Sequence, residues 1–203
     1  MPIPKSILYK SYVLEQKSMF DIAKNMDISI HKVQYWLTKY KIPRRNQRDA
    51  NYAKYNPDGD PFNIKSNLSI DDQHLYYLAM GFYWGEGGKT NYQTTRLVNS
   101  DPTMILIFYK FLLNICRVKT SKIHFNLQTF KDNNIQVAKN YWAKTLGINA
   151  ENIHTSQPIP SQGKGNYKNI NIHGVMAIDV YNTHFQKWMM EQLTKLGYNP
   201  NIR

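Results

Sequence analysis

The stretch 79-AMGFYWGEGGK-89 decides how the chain is read. Gly81 and Gly85 stand four residues apart, on one face of a helix that also carries Leu75, Leu78 and Phe82. A glycine inside a helix costs about 1 kcal/mol against alanine, so two on one face call for a use. They leave a smooth groove that lets a second helix backbone approach closely. A C-capping role for one glycine, with the other incidental, competes with that use. Glu86 then stands at the helix tip, where a negative charge is disfavoured by roughly 0.3–1 kcal/mol. If two copies of the helix pack tip to tip, two Glu86 carboxylates converge. Like charges that close cannot both stay ionised without a cation, and a divalent metal prefers carboxylate and carbonyl oxygens.

The rest of the composition is in keeping with a charged partner. Among 203 residues, 26 Lys and Arg face 14 Asp and Glu, a formal net charge of +12. Such a surplus favours a polyanion; a generically basic protein from an A/T-rich genome is the competing account. Hydrophobic residues at 42% suffice for a core. The single cysteine, Cys116, excludes an internal disulfide and a cysteine zinc site, and points to a reducing, intracellular compartment. The opening MPIPKSILYK lacks a signal-peptide core. Lys110 interrupts the best apolar run before it reaches the ~18 residues of a membrane span, so no membrane is expected.

Residues 1–50 read as a separate helix-turn-helix unit. Helices are expected over Ser6–Gln16, Met19–Met26 and Ile30–Tyr40, with 27-DIS-29 as the tight turn and Asp27 in the place of the usual glycine. Ala23 fills the helix-crossing slot, and Ile22, Ile28, Val33 and Trp36 the apolar ones. Ser29, His31, Lys32, Gln34 and Tyr35 open the third helix, where base edges are usually reached. Over residues 1–52, ten Lys and Arg oppose four acids. A linker is expected over 51–67. Its basic approach, with Arg44 and Arg45, suits a phosphate backbone or a minor groove as well as a solvated tether.

From 68 to 203 the pattern is α-β-α-β-α-β-β-α, an α+β domain. Helices are expected from Ser69 to the Gly-Glu-Gly end, over Pro102–Cys116, over 134–147 and over 183–196. Strands are expected at 91–99, 123–130, 152–159 and 168–182, the last two around the Gly/Lys loop 161-SQGKGNYK-168.

The stretch 79-AMGFYWGEG-87 resembles the signature of the LAGLIDADG homing endonucleases, with Gly81, Gly85, Glu86 and Gly87 at the shared positions. The segments 98-VNSDPTMILIFYKFLLNIC-116 and 136-QVAKNYWAKTLGI-148, with Trp142, are similar to single-motif members of that family. The resemblance implies an antiparallel saddle sheet with helices on one face, gripping double-stranded DNA. It implies a homodimer through Gly81 and Gly85, a near-palindromic site, and Mg²⁺ or Mn²⁺ held by Glu86 with the Gly87 carbonyl assisting. A catalytic lysine would be Lys89 or Lys168. Saddle contacts would come from Gln93, Arg96, His124, Asn126, Gln128 and Asn171, and phosphate contacts from Lys164. No small-molecule substrate is implied. The chain departs from the family at Glu86, usually Asp, and at bulky Trp84; the short span from Glu86 to Asn99 leaves room for one good strand and a stub. A non-cleaving transcription regulator on the same scaffold is the rival reading.

Overall fold

The computed structural model describes residues 2–161 and 171–199. The chain divides into two compact units, Met1–Pro61 and Phe62–Arg203. Together their described residues hold eight α-helices and one open five-stranded sheet, a mixed α/β architecture.

In the first unit, α1 (Lys5–Tyr9) runs on into a π-helical turn over Lys10–Leu14. Helices α2 (Met19–Asn25) and α3 (Ile30–Lys39) follow, capped by Ser18 and Ser29, whose side chains accept from Asp21 N and Lys32 N. Asp27 between them adopts a left-handed φ of 51°, the conformation the missing turn glycine would supply. Leu8, Tyr12, Ile22, Ala23, Val33 and Leu37 form its core. Helix α4 (Gln47–Tyr55), capped by Asn46, occupies ground expected to begin the linker. Residues at the other end of that expected linker belong to the second unit. Asn63 N and Lys65 N donate to the carbonyls of Cys116 and Ile115, and Phe62, Ile64 and Leu68 pack on the second core. Ile115 and Cys116 are buried just past a helix end, where backbone carbonyls need such partners.

The second unit begins with α5 (Ile70–Glu86), whose Ser69–Asp72 capping box satisfies both ends of the first turn. A stub, β1 (Gly87–Gly88), leads to β2 (Thr94–Asn99). Next come α6 (Pro102–Asn114), capped by Asp101, β3 (Ile123–Gln128) and α7 (Ile135–Leu146), closed by Gly147 at φ 66°. The chain ends with β4 (Ile153–Thr155), β5 (Val175–Tyr181) and α8 (Thr183–Lys195). The strand order is β1-β2-β5-β3-β4.

The sheet is not purely antiparallel: β3 and β4 run parallel. The intervening α7 carries the chain back to the end where β3 began, so β4 must start from the same side. Strand β4 is shorter than the expected 152–159, and β5 begins only at Val175, residues 168–170 of the expected 168–182 lying outside the described residues. Before β5 the chain turns at Gly174, φ 69°, where a Cβ would lie 2.4 Å from the Gln128 carbonyl oxygen. Helices α5 to α8 all contribute to one core with Leu97, Ile123, Phe125, Leu127, Met176, Ile178 and Val180. These strand residues alternate along the chain, so one sheet face is covered by helices, and among the described residues no helix packs on the other, here called the open face. Among the described residues no helix is long and apolar enough to cross a membrane.

Candidate nucleic-acid interface

Strand register builds the open face row by row. Gly88, Arg96, Asp179 and His124 stand side by side across β1, β2, β5 and β3. The next row is Val98, Ala177, Asn126 and His154 across β2, β5, β3 and β4. Thr94 pairs with Tyr181 at one end, and Gln128 with Val175 at the other. Four of the six expected saddle residues, Arg96, His124, Asn126 and Gln128, therefore share one face.

The polar side chains of this face are interlocked. Asn126 Nδ2 donates to Asp179 Oδ2 at 2.7 Å, and Arg96 Nη1 lies 3.4 Å from the same oxygen. The His124 and Tyr181 rings are 5.0 Å apart. Gln128 Nε2 donates to the carbonyls of Gln157 and Thr129. The Asp179 side chain is fully buried beneath its neighbours while Arg96 remains 47% exposed. Burial pushes the Asp179 carboxyl above the usual range, and the Arg96 charge and Asn126 hydrogen bond pull against that rise.

The other two saddle residues stand apart. Gln93 is exposed in the turn before β2. Asn171 precedes β5 and braces the turn there: its Nδ2 donates to Gly174 O, and its Oδ1 accepts from His173 N. It is a turn residue, because the strand begins only at Val175. Lys164 and Lys168 lie outside the described residues.

The tip of α5 adjoins the Gly88–Arg96 row. Glu86 is exposed at its end. The tip is anchored by buried Tyr83, whose hydroxyl lies 2.8 Å from Gly88 O and 2.9 Å from Gln186 Oε1; Thr95 Oγ1 donates to the same amide oxygen at 2.6 Å. Desolvation drives the Tyr83 pKa up to about 12, so the phenol stays protonated. Lys89 folds back on the helix end and donates to Gly87 O at 2.7 Å and Tyr83 O at 3.3 Å. Its ammonium thus meets the negative end of the helix dipole, and the Gly87 carbonyl expected to assist a metal is engaged by it.

Among the described residues no three His, Cys, Asp or Glu side chains converge as a metal site. The donors at the tip are nonetheless of the right kind. Mg²⁺ is commonly held by one or two carboxylates together with substrate phosphates. Glu86 offers one such carboxylate.

The outward stripe of α5 is apolar and exposed. Its Tyr77 and Leu78 are 58% and 50% exposed, and an apolar groove of about 630 Å³ runs over His74, Tyr77, Leu78, Gly81 and Phe82. A Cβ at Gly81 or Gly85 would meet nothing within 4 Å. The chain's own packing therefore does not require glycine at either position.

In the first unit, His31, Gln34 and Tyr35 share the face of α3 opposite Val33 and Leu37. Ser29 is its exposed cap and Lys32 is half-buried. Arg44 is exposed. Arg45 turns inward: its guanidinium stacks 4.2 Å from the Tyr12 ring centre and donates to the Lys17 and Tyr12 carbonyls. Its role in this structure is to tie the chain after α3 to the first helix, because an aromatic face and helix-end carbonyls outcompete solvent for it.

Three open-face residues were not singled out from sequence: Asp179, Tyr181 and His154. Asp179 carried a signal, as the one charge within the apolar run 175-VMAIDVY-181. Comparison of the chain with protein-family models, characterised proteins and solved structures finds no match.

Proposed function

We propose that the protein is a sequence-specific DNA endonuclease that binds a long, near-palindromic duplex as a homodimer. The observation that carries this reading is the open sheet face, which Arg96, His124, Asn126 and Gln128 share and whose Arg96 row ends at Gly88, two residues from Glu86 at the α5 tip. A twisted strand surface of hydrogen-bonding side chains can read base edges. The α3 face with His31, Gln34 and Tyr35 adds a second reading element, and the +12 surplus supplies phosphate attraction. Gly81 and Gly85 admit the partner helix, which brings two Glu86 carboxylates together. Those carboxylates would hold Mg²⁺ or Mn²⁺, which supplies an activated water and neutralises charge on the leaving oxygen. Tyr83, Gln186 and Thr95 keep the tip in place against β2.

The engagement of the Gly87 carbonyl by Lys89 favours a second reading, a non-cleaving DNA-binding regulator. Incubating the chain with a randomised duplex library in Mg²⁺ or Mn²⁺ separates the two. Selection of one sequence with cutting supports the nuclease. Selection without cutting in either metal supports the regulator, and no selection at all defeats both.

A further inference from the structure

A strongly basic chain places a fully buried carboxylate in the middle of the face it would offer to a polyanion. Asp179 there repels phosphate, so phosphate binding does not explain it. Its contacts suggest what does. An ionised carboxylate only accepts hydrogen bonds, so it fixes the Asn126 amide with Nδ2 inward, 2.7 Å from Oδ2. Tyr181 hydrogen-bonds to both Asp179 and Asn126 and completes the group, and the Asn126 amide oxygen is turned away from the carboxylate. Arg96 spends one edge on the same oxygen at 3.4 Å and keeps its remaining donors, on a half-exposed side chain. Arg96 then presents paired donors suited to guanine O6 and N7, and Asn126 an amide oxygen suited to accept from adenine N6. Because Asp179 offsets the Arg96 charge, the pair is poorly suited to gripping phosphate and well suited to a neutral base edge.

We infer that Asp179 is a positioning residue for sequence specificity, holding Arg96 and Asn126 as readers of base edges in the DNA major groove. This rests on the DNA-binding reading above. Burial raises the Asp179 pKa, and Arg96, Asn126, His124 and Tyr181 together oppose that rise.

Asp179→Asn tests it. Asparagine keeps the size and can still accept from Asn126, but it releases the Arg96 charge. Salt-dependent affinities are measured for a duplex selected from a randomised library and for a shuffled duplex of equal composition. In Asp179→Asn the preference for the selected duplex should fall about ten-fold, the discrimination of roughly one bidentate contact. The slope of log K against log salt should steepen by about 0.9 per chain as Arg96 moves to phosphate. Arg96→Gln, on an exposed side chain, should lose the same base preference without steepening. Adding Asp179→Asn to Arg96→Gln should then change neither quantity further. An equal loss of affinity for both duplexes with an unchanged slope would overturn the inference, since a merely structural role does that. If the wild type selects a sequence and both single variants select it equally well, only this inference fails. If the wild type selects nothing, the DNA reading fails and takes the inference with it.

Discussion

The Tyr83 ring and Gly87 are packed so tightly that a Cβ at position 87 would sit 2.3 Å from ring carbon Cδ2 and 2.4 Å from the Tyr83 carbonyl oxygen. The ring cannot move aside freely, because its hydroxyl sits in the buried group of Gly88 O, Gln186 and Thr95. Gly87→Ala should therefore destabilise the fold by about 1–3 kcal/mol, the usual cost of overpacking. Thermal unfolding checks this, and an unchanged Tm would mean the tip is softer than its contacts imply.

Gly81 behaves in the opposite way. A Cβ there meets only open space, so in an isolated chain Gly81→Ala should stabilise α5 by up to about 1 kcal/mol through its higher helix propensity. Gly81→Leu should leave the chain folded but fill the groove, giving monomers in sedimentation velocity where the wild type gives dimers. Full-strength dimers of Gly81→Leu would place the interface elsewhere.

The start of α5 carries a pH signature. The Lys65 ammonium, 2.5 Å from Asp72, and the Ser69 backbone N–H hold the Asp72 pKa down to about 2 from an ordinary 3.8. A depressed carboxylate stabilises the fold above its unfolded pKa and loses that contribution as pH falls through the folded value. Asp72→Asn should thus lower Tm at neutral pH, and the gap to wild type should close between 3.8 and about 2. A gap that persists unchanged below that window would assign the effect to shape, not charge.

Elements set by local chemistry were legible from the residues. Asn and Asp caps, Pro102 and Gly147 bounded α6 and α7, and Asp27 took the left-handed turn expected of it. Alternation along 123-IHFNLQTF-130 placed His124, Asn126 and Gln128 on one face before any partner strand was known. What depended on distant partners was not legible. The parallel pairing of β3 with β4 is decided by where α7 returns the chain. Arg45 turns inward because Tyr12, 33 residues away, offers its ring and carbonyl. Lys89 reads as a spare cation until the carbonyls at the end of α5 are in place to receive it. Asp179 hid in an apolar strand, and its meaning appears only when register sets Arg96 on one side and His124 on the other.

Removing Met1–Pro61 tests the first unit as a reading element. It takes away eleven Lys and Arg against six Asp and Glu, a surplus of five out of +12. The second unit retains its own core and should stay folded. Its DNA affinity should drop, its footprint should shorten, and the salt dependence should flatten as phosphate contacts are lost. An unchanged footprint and slope would assign α3 to some other partner.

Glu86→Gln addresses the chemistry itself. Glutamine keeps the length and hydrogen-bonding capacity of the side chain but removes the negative charge that a divalent ion requires. The residue is exposed at the end of α5, so stability should change by no more than about 0.5 kcal/mol. DNA binding should survive, because the open sheet face and α3 supply the base contacts. Removing two carboxylates beside DNA also lessens repulsion, so binding should tighten modestly at low salt and converge with wild type as salt is raised. Cutting in Mg²⁺ or Mn²⁺ should fall by orders of magnitude, since water activation and leaving-group stabilisation both depend on the ion Glu86 holds. Nicking of a selected duplex, scored beside binding for wild type and variant, separates these effects. Cutting at the wild-type rate in Glu86→Gln would remove Glu86 from the metal site and turn attention to another acid or to a lysine such as Lys89.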